Sequence, residues 1–217
     1  MGRLFNLDSP LMAFLSRVAD LMILNIIVIV CCLPIITIGP SLTAMHYVLI
    51  KMVRKQEGYI VKPFFKSFRD NFKPALISWL IMLLFIVIFW IDLEILGNSG
   101  LEFAMWLRIA LLVVGLIALM CALYVFPLIA RFENTVRTTF KNAFYISILN
   151  LPKTILMIIV CVAPLVLVYI YMNLMPLLFL LGITAPGYVC VLLYNKIFKR
   201  FEPAPEEEEA DSWTVPD

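Results

Sequence analysis

The sequence predicts an all-α fold: a polytopic transmembrane helix bundle with five spans, the N-terminus outside, the C-terminus inside, and interfacial helices on the cytoplasmic side. Three observations carry this. Hydrophobic residues make up 63% of the 217-residue chain and charged residues only 15%, against roughly half and a quarter in soluble domains. Five apolar stretches are long enough for helices that cross a hydrocarbon core, which takes about 20 residues. The Lys and Arg residues gather in the segments that fall on one side of such a bundle. This composition excludes an ordinary soluble enzyme, a disordered chain and a nucleic-acid-binding module, because the bases lie between apolar spans rather than in one patch.

The elements follow in order. Asp8-Ser9-Pro10 is a helix start, with capping side chains and a proline for the first turn. Arg17 and Asp20 stand three apart on that helix and are expected to pair near the outer interface. The spans are residues 21–39, 75–91, 109–129, 154–172 and 175–194. Lipid offers the backbone no hydrogen-bond partners, so these runs are read as helices, and no alternation of period two suggests a barrel. Residues 40–55 are read as an interfacial helix after Gly39-Pro40. A sixth short span there would put the N-terminus inside instead.

The orientation comes from charge. The linker after the first span carries Lys51, Arg54, Lys55, Lys62, Lys66, Arg69 and Lys73. The linker after the third carries Arg131, Arg137, Lys141 and Lys153, and the C-terminal flank carries Lys196, Lys199 and Arg200. These segments are assigned to the cell interior. The linker after the second span is acidic, with Asp92, Glu94 and Glu102. Residues 1–201 thus form one transmembrane domain. Residues 202–217 hold seven acids and no base, and read as a disordered acidic cytoplasmic tail.

Signatures of catalysis, cofactor binding and metal binding are missing. The sequence has no H-E-x-x-H, no Gly-rich phosphate loop and no G-x-S-x-G. The single histidine, His46, is read as a packing or surface residue. Cys31, Cys32, Cys121, Cys161 and Cys190 lie in apolar stretches and are read as packing residues. No catalytic, cofactor-binding or metal-ligating residue is therefore assigned.

Prolines interrupt the spans. Pro34, Gly39 and Pro40 near the first span, and Pro186 and Gly187 in the last, are candidate broken-helix positions. Such breaks either line a pathway or are tolerated as kinks. The middle of every span lacks ionisable residues, which argues against a pump driven through buried carboxylates. Asn25, Ser78, Thr184 and Asn195 are expected to hydrogen-bond between helices. In the linkers, residues 63–74 (PFFKSFRDNFKP) and 139–144 (TFKNAF) mix Phe with bases and read as amphipathic helices on the inner interface.

Residues 2–11 (GRLFNLDSPL), 33–39 (LPIITIG), 51–60 (KMVRKQEGYI) and 64–73 (FFKSFRDNFK) resemble the YesL family of bacterial multi-pass membrane proteins. That family has no assigned activity. Its members are often encoded near carbohydrate ABC importers, so the resemblance implies a bacterial cell-membrane location and an association with transport. A second resemblance is to permease subunits of type I ABC importers, whose coupling loop has the pattern E-A-A-x3-G-x9-I-x-L-P. Glu133, Leu149, Leu151 and Pro152 fall at matching spacing, while Asn134 and Thr135 replace the alanines and Thr139 the glycine. It implies a partner-docking loop in which Glu133 caps or orients the segment and Arg137, Phe140, Lys141 and Phe144 form the docking face ahead of Leu151-Pro152. The expected function is a non-enzymatic, permease-like or auxiliary subunit of a carbohydrate ABC importer. The expected partners are the bilayer and the importer's permease or ATPase subunits. The alternative is a structural or regulatory scaffold with no pathway of its own.

Overall fold

A computed structural model describes residues 10–56, 59–98, 104–171, 173 and 175–200. Asp8, Ser9, Glu102 and the acidic tail, residues 202–217, lie outside the described residues. No strand occurs among those described. Among the described residues nine α-helices follow one another: α1 (Pro10–Cys32), α2 (Ile38–Val53), α3 (Val61–Asp70), α4 (Phe72–Asn98), α5 (Ala104–Arg131), α6 (Val136–Leu149), α7 (Leu151–Ile170), α8 (Met175–Leu181) and α9 (Thr184–Phe198). Among the described residues five segments are long and apolar enough to cross a membrane. The chain is a multi-pass membrane protein.

These five are not quite the expected set. Four contain or closely overlap the predicted spans: 14–32, 72–96, 105–131 and 151–170. The fifth is Ile35–Val53, which the sequence divides between the end of the first span and an interfacial helix. Pro34 is the reason. It adopts an extended conformation with φ −75° and ψ 122°, ends α1 at Cys32, and is followed by a short 3-10 turn, Ile35–Thr37. The Thr37 hydroxyl, 2.7 Å from the Cys31 carbonyl and 2.8 Å from that of Pro34, donates into the break. Pro40 does not interrupt anything. It occupies the first turn of α2, where a missing N–H costs no helical bond.

The predicted last span, 175–194, is instead two helices meeting at 50°. The break falls between Leu181 and Thr184, so Pro186 and Gly187 belong to the first turns of α9 and not to the break itself.

The core is built around α2, which packs against α1, α3, α4, α5 and α9. Ala44, Met45, Val48 and Leu49 of α2 meet Leu24 and Val28 of α1, Tyr124 and Val125 of α5, and Val191 and Tyr194 of α9. By contrast α4, α5 and α7 carry large apolar side chains on their outer faces, such as Leu84 (60% exposed) and Leu165 (63%). In water an apolar surface of that extent drives aggregation; against acyl chains it is the ordinary exterior. The pairs Trp79–Phe126 and Phe89–Gly115 set α4 and α5 antiparallel.

The expected Arg17–Asp20 pair does not form among the described residues. The Arg17 guanidinium donates to the Tyr188 hydroxyl at 3.2 Å. Both Arg17 and Asp20 also line a cavity of about 490 Å³ with Lys51 and Lys55. The beginning of α1 and the end of α2 therefore share one end of the bundle.

Candidate functional site

The linker that resembles a coupling loop becomes α6. Thr135, extended at φ −65° and ψ 151°, is its N-cap, and its side chain accepts from the Thr138 N–H at 3.4 Å. Glu133 stands exposed in the turn before it and is not the cap. Leu151 and Pro152 are the opening residues of α7, reached from α6 through Asn150 alone. Pro152 suits that place, since the first turn has no intrahelical use for its N–H.

One face of α6 is buried at Thr139, Ala143, Ile146 and Ser147, and the helix packs along α5. The Thr154 hydroxyl, itself buried, lies 3.0 Å from the Tyr124 hydroxyl and 3.1 Å from the Ser147 carbonyl, tying α5, α6 and α7 together. Arg137, Lys141, Phe144 and Ile148 are exposed and follow at spacings of four, three and four, so they form one outward stripe. Phe140 is half-buried beside it. Phe140 and Phe144 also border an apolar groove of about 710 Å³ formed with Phe85, Phe89 and Gly115. Of the predicted docking residues, then, Arg137, Lys141 and Phe144 share a face, while Glu133, Leu151 and Pro152 lie off it.

The broken last segment is held from outside. Asn25 in α1 donates through Nδ2 to the Phe179 carbonyl at 2.7 Å, and its Oδ1 accepts from the Ile183 and Thr184 N–H groups at 3.1 and 3.0 Å. Thr184 returns a bond from its hydroxyl to the Leu21 carbonyl at 2.9 Å. The three Asn25 bonds supply partners to backbone groups where α8 stops and α9 starts, and the Thr184 bond ties that point to α1. Asn25 and Thr184 do hydrogen-bond between helices, as expected. Asn195 accepts from Arg54 Nε at 3.0 Å, joining α2 to α9. Ser78 differs: its hydroxyl donates to Pro74 within its own helix. His46 is paired with Tyr194, the ring nitrogen Nδ1 lying 3.0 Å from the hydroxyl, an interhelical contact for which the sequence holds no signal beyond two polar rings in apolar runs.

The remaining predicted break positions serve packing. Gly39 is buried against α4, and Gly187 lies beside Met45 and Leu49 of α2. Among the described residues no group of three or more His, Cys, Asp or Glu side chains is placed to hold a metal ion.

Residues 21–93 match a family model described as "Protein of unknown function, DUF624", the description that covers YesL-like families. The matched stretch takes in the second half of α1, all of α2 and α3, and most of α4. It includes Asn25 and Gly39 but not α6. No curated protein and no solved structure matches the chain.

Proposed function

We propose that this chain is a non-enzymatic auxiliary subunit of the bacterial cell membrane, associated with a carbohydrate ABC importer, and not one of the importer's permease halves. The observation that supports it is α6. A coupling helix has to project into the cleft of an ATPase; α6 lies packed on α5 and runs into α7 through one residue. What it offers outward is the stripe Arg137, Lys141, Phe144 and Ile148, two cations followed by two apolar side chains, suited to docking on a partner helix. The link to a carbohydrate importer rests on the resemblance to the YesL family. Replacing Arg137 and Lys141 together with Glu in the full chain is expected to cut recovery of importer subunits from native membranes about tenfold, through like-charge repulsion and lost docking contacts. Repeated purification of the tagged wild-type protein without any ABC subunit overturns the reading.

A second reading, a scaffold with no pathway, draws support from the interior: among the described residues no Asp, Glu, Lys or Arg side chain is buried. Sugar uptake by sealed vesicles that is unchanged on deleting the chain favours it.

The topology proposed here has both chain ends in the cell interior. Counting Ile35–Val53 as one span and α8–α9 as one bent span gives six crossings. The start of α1 then lies on the side of the base-rich segments, consistent with Arg17 and Asp20 sharing a cavity with Lys51 and Lys55. The helices α3 and α6 lie at the inner interface, with Lys62, Lys66 and Arg69 on the outward face of α3. Single cysteines placed at Asn6 and Ser212 are expected to resist a membrane-impermeant maleimide in intact cells and to react after permeabilisation. Labelling of Asn6→Cys alone in intact cells restores the five-span arrangement with its N-terminus outside.

A further inference from the structure

We propose that the cavity between the start of α1 and the α2–α3 turn binds the phosphate headgroup of an anionic lipid, with an acyl chain in the groove beside it. Its polar lining includes Ser16, Arg17, Asp20, Lys51, Lys55 and Gln56, around a volume of about 490 Å³. Among the described lining residues three cations face one carboxylate. Among the described residues none of the three is ion-paired. Arg17 donates to the Tyr188 hydroxyl, and Lys51 Nζ sits 4.7 Å from the centroid of the Tyr47 ring. Neither contact is with a carboxylate, so among the described residues both side chains can offer charge-assisted hydrogen bonds to a phosphate.

Lys55 adds a backbone observation. Its φ is +54°, the left-handed region, just past the end of α2. Glycine is the residue that usually ends a helix this way. A lysine there holds a strained conformation and adds a cation to the cavity lining.

The second feature is an adjoining groove of about 420 Å³ lined by Asp20, Ile23, Tyr59, Ile60 and Val61. It shares Asp20, Tyr59 and Ile60 with the polar cavity, and Ile23 and Val61 extend it on apolar side chains. A polar, cationic chamber opening beside an apolar trough fits an amphiphile. Free phosphate would use only the first half. Basic pockets between helices are a known way of holding anionic headgroups.

Native mass spectrometry of the full-length protein in mild detergent tests this, with phosphatidylglycerol, phosphatidylcholine and inorganic phosphate as probes. The wild-type chain is expected to retain phosphatidylglycerol about tenfold better than phosphatidylcholine. Lys51→Gln and Lys55→Gly are each expected to lower that retention about tenfold, the size of one charge-assisted contact. Lys55→Gly is the informative variant, because glycine suits the backbone there and the fold should be at least as stable while binding falls. Lys153→Gln, an equal loss of charge on α7, is expected to leave retention unchanged. Equal retention of the two lipids, or an equal effect of Lys153→Gln, overturns the site. Displacement of bound lipid by millimolar inorganic phosphate, with no preference for the acylated ligand, overturns the lipid assignment in favour of a free anion.

Discussion

Asn25→Leu is expected to destabilise the folded protein by about 2–4 kcal/mol and to loosen the α8–α9 segment selectively. The substitution is close in volume, so packing changes little; what disappears is one donor and one double acceptor. The Phe179 carbonyl and the Ile183 and Thr184 N–H groups are left without their side-chain partner. An unsatisfied buried group costs about 1–3 kcal/mol. Interhelical bonds in membrane proteins often measure near the lower end of that scale, because the unfolded chain in lipid finds other partners. Thr184→Val removes only the hydroxyl bond to Leu21 and is expected to cost about 1 kcal/mol. Unfolding by a denaturing detergent in mixed micelles gives both values. Amide exchange at Ile183 and Thr184 gives the local effect, which should rise in Asn25→Leu and hardly move in a core variant far from the clamp. A global loss with unchanged local exchange would show that Asn25 acts through packing.

This clamp also shows where the sequence stops being readable. The apolar stretches and their helical state follow from composition, because lipid leaves the backbone no other choice. The positions of α4, α5 and α7 were legible for that reason. The break between α8 and α9 was not. Pro186 and Gly187 mark the segment but belong to the first turns of α9, and the residue that makes the break tolerable lies 158 positions from Ile183, at Asn25. Hydropathy at Asn25 says only that a polar group needs a partner.

The central place of α2 in the core was not legible for a related reason. Gly-Pro is a strong breaker within a helix, and residues 38–53 mix Ser, Thr, His and Lys among the apolar ones, as an interfacial helix does. Yet a proline in the first turn starts a helix as well as it ends one. Ser41 donates back to Thr37, so its hydroxyl needs no water. Burial of α2 on five sides is a tertiary fact that a single segment does not encode. On α6 the opposite happened. The spacing pattern located the linker, but the capping role went to Thr135, because a hydroxyl two residues beyond Glu133 was the one in reach of the Thr138 N–H in the first turn.

Gly39→Val is expected to have the other large effect, a loss of most folded protein from the membrane fraction. Gly39 stands at the start of α2, where the chain passes closest to α4. A methyl group built on it would lie 2.6 Å from the Ala75 carbonyl oxygen and 2.6 Å from the Trp79 Cβ. Neither obstacle is the free end of a side chain. The carbonyl is backbone, and the Trp79 ring is pinned by its Nε1 bond to the Ile35 carbonyl at 2.8 Å and by its contact with Phe126. Relief requires moving α4 away from α2, which opens the core around Ala75 as well. Overpacking a tight site costs about 1–3 kcal/mol for one methyl, so Gly39→Ala should already be destabilising and the branched Gly39→Val well beyond it. Gly187 is the control on the facing helix. A methyl there would meet Leu49 Cδ1 at 3.1 Å and Met45 Cε at 3.2 Å, both ends of flexible side chains, and Gly187→Ala is expected to cost less than about 1 kcal/mol. Both glycines precede or follow a proline within an apolar run, so the sequence alone treats them alike. Equal tolerance of Ala at the two sites, measured as the denaturing-detergent midpoint, would mean that α2 and α4 do not approach as closely as Gly39 requires, and the central position of α2 would have to be given up.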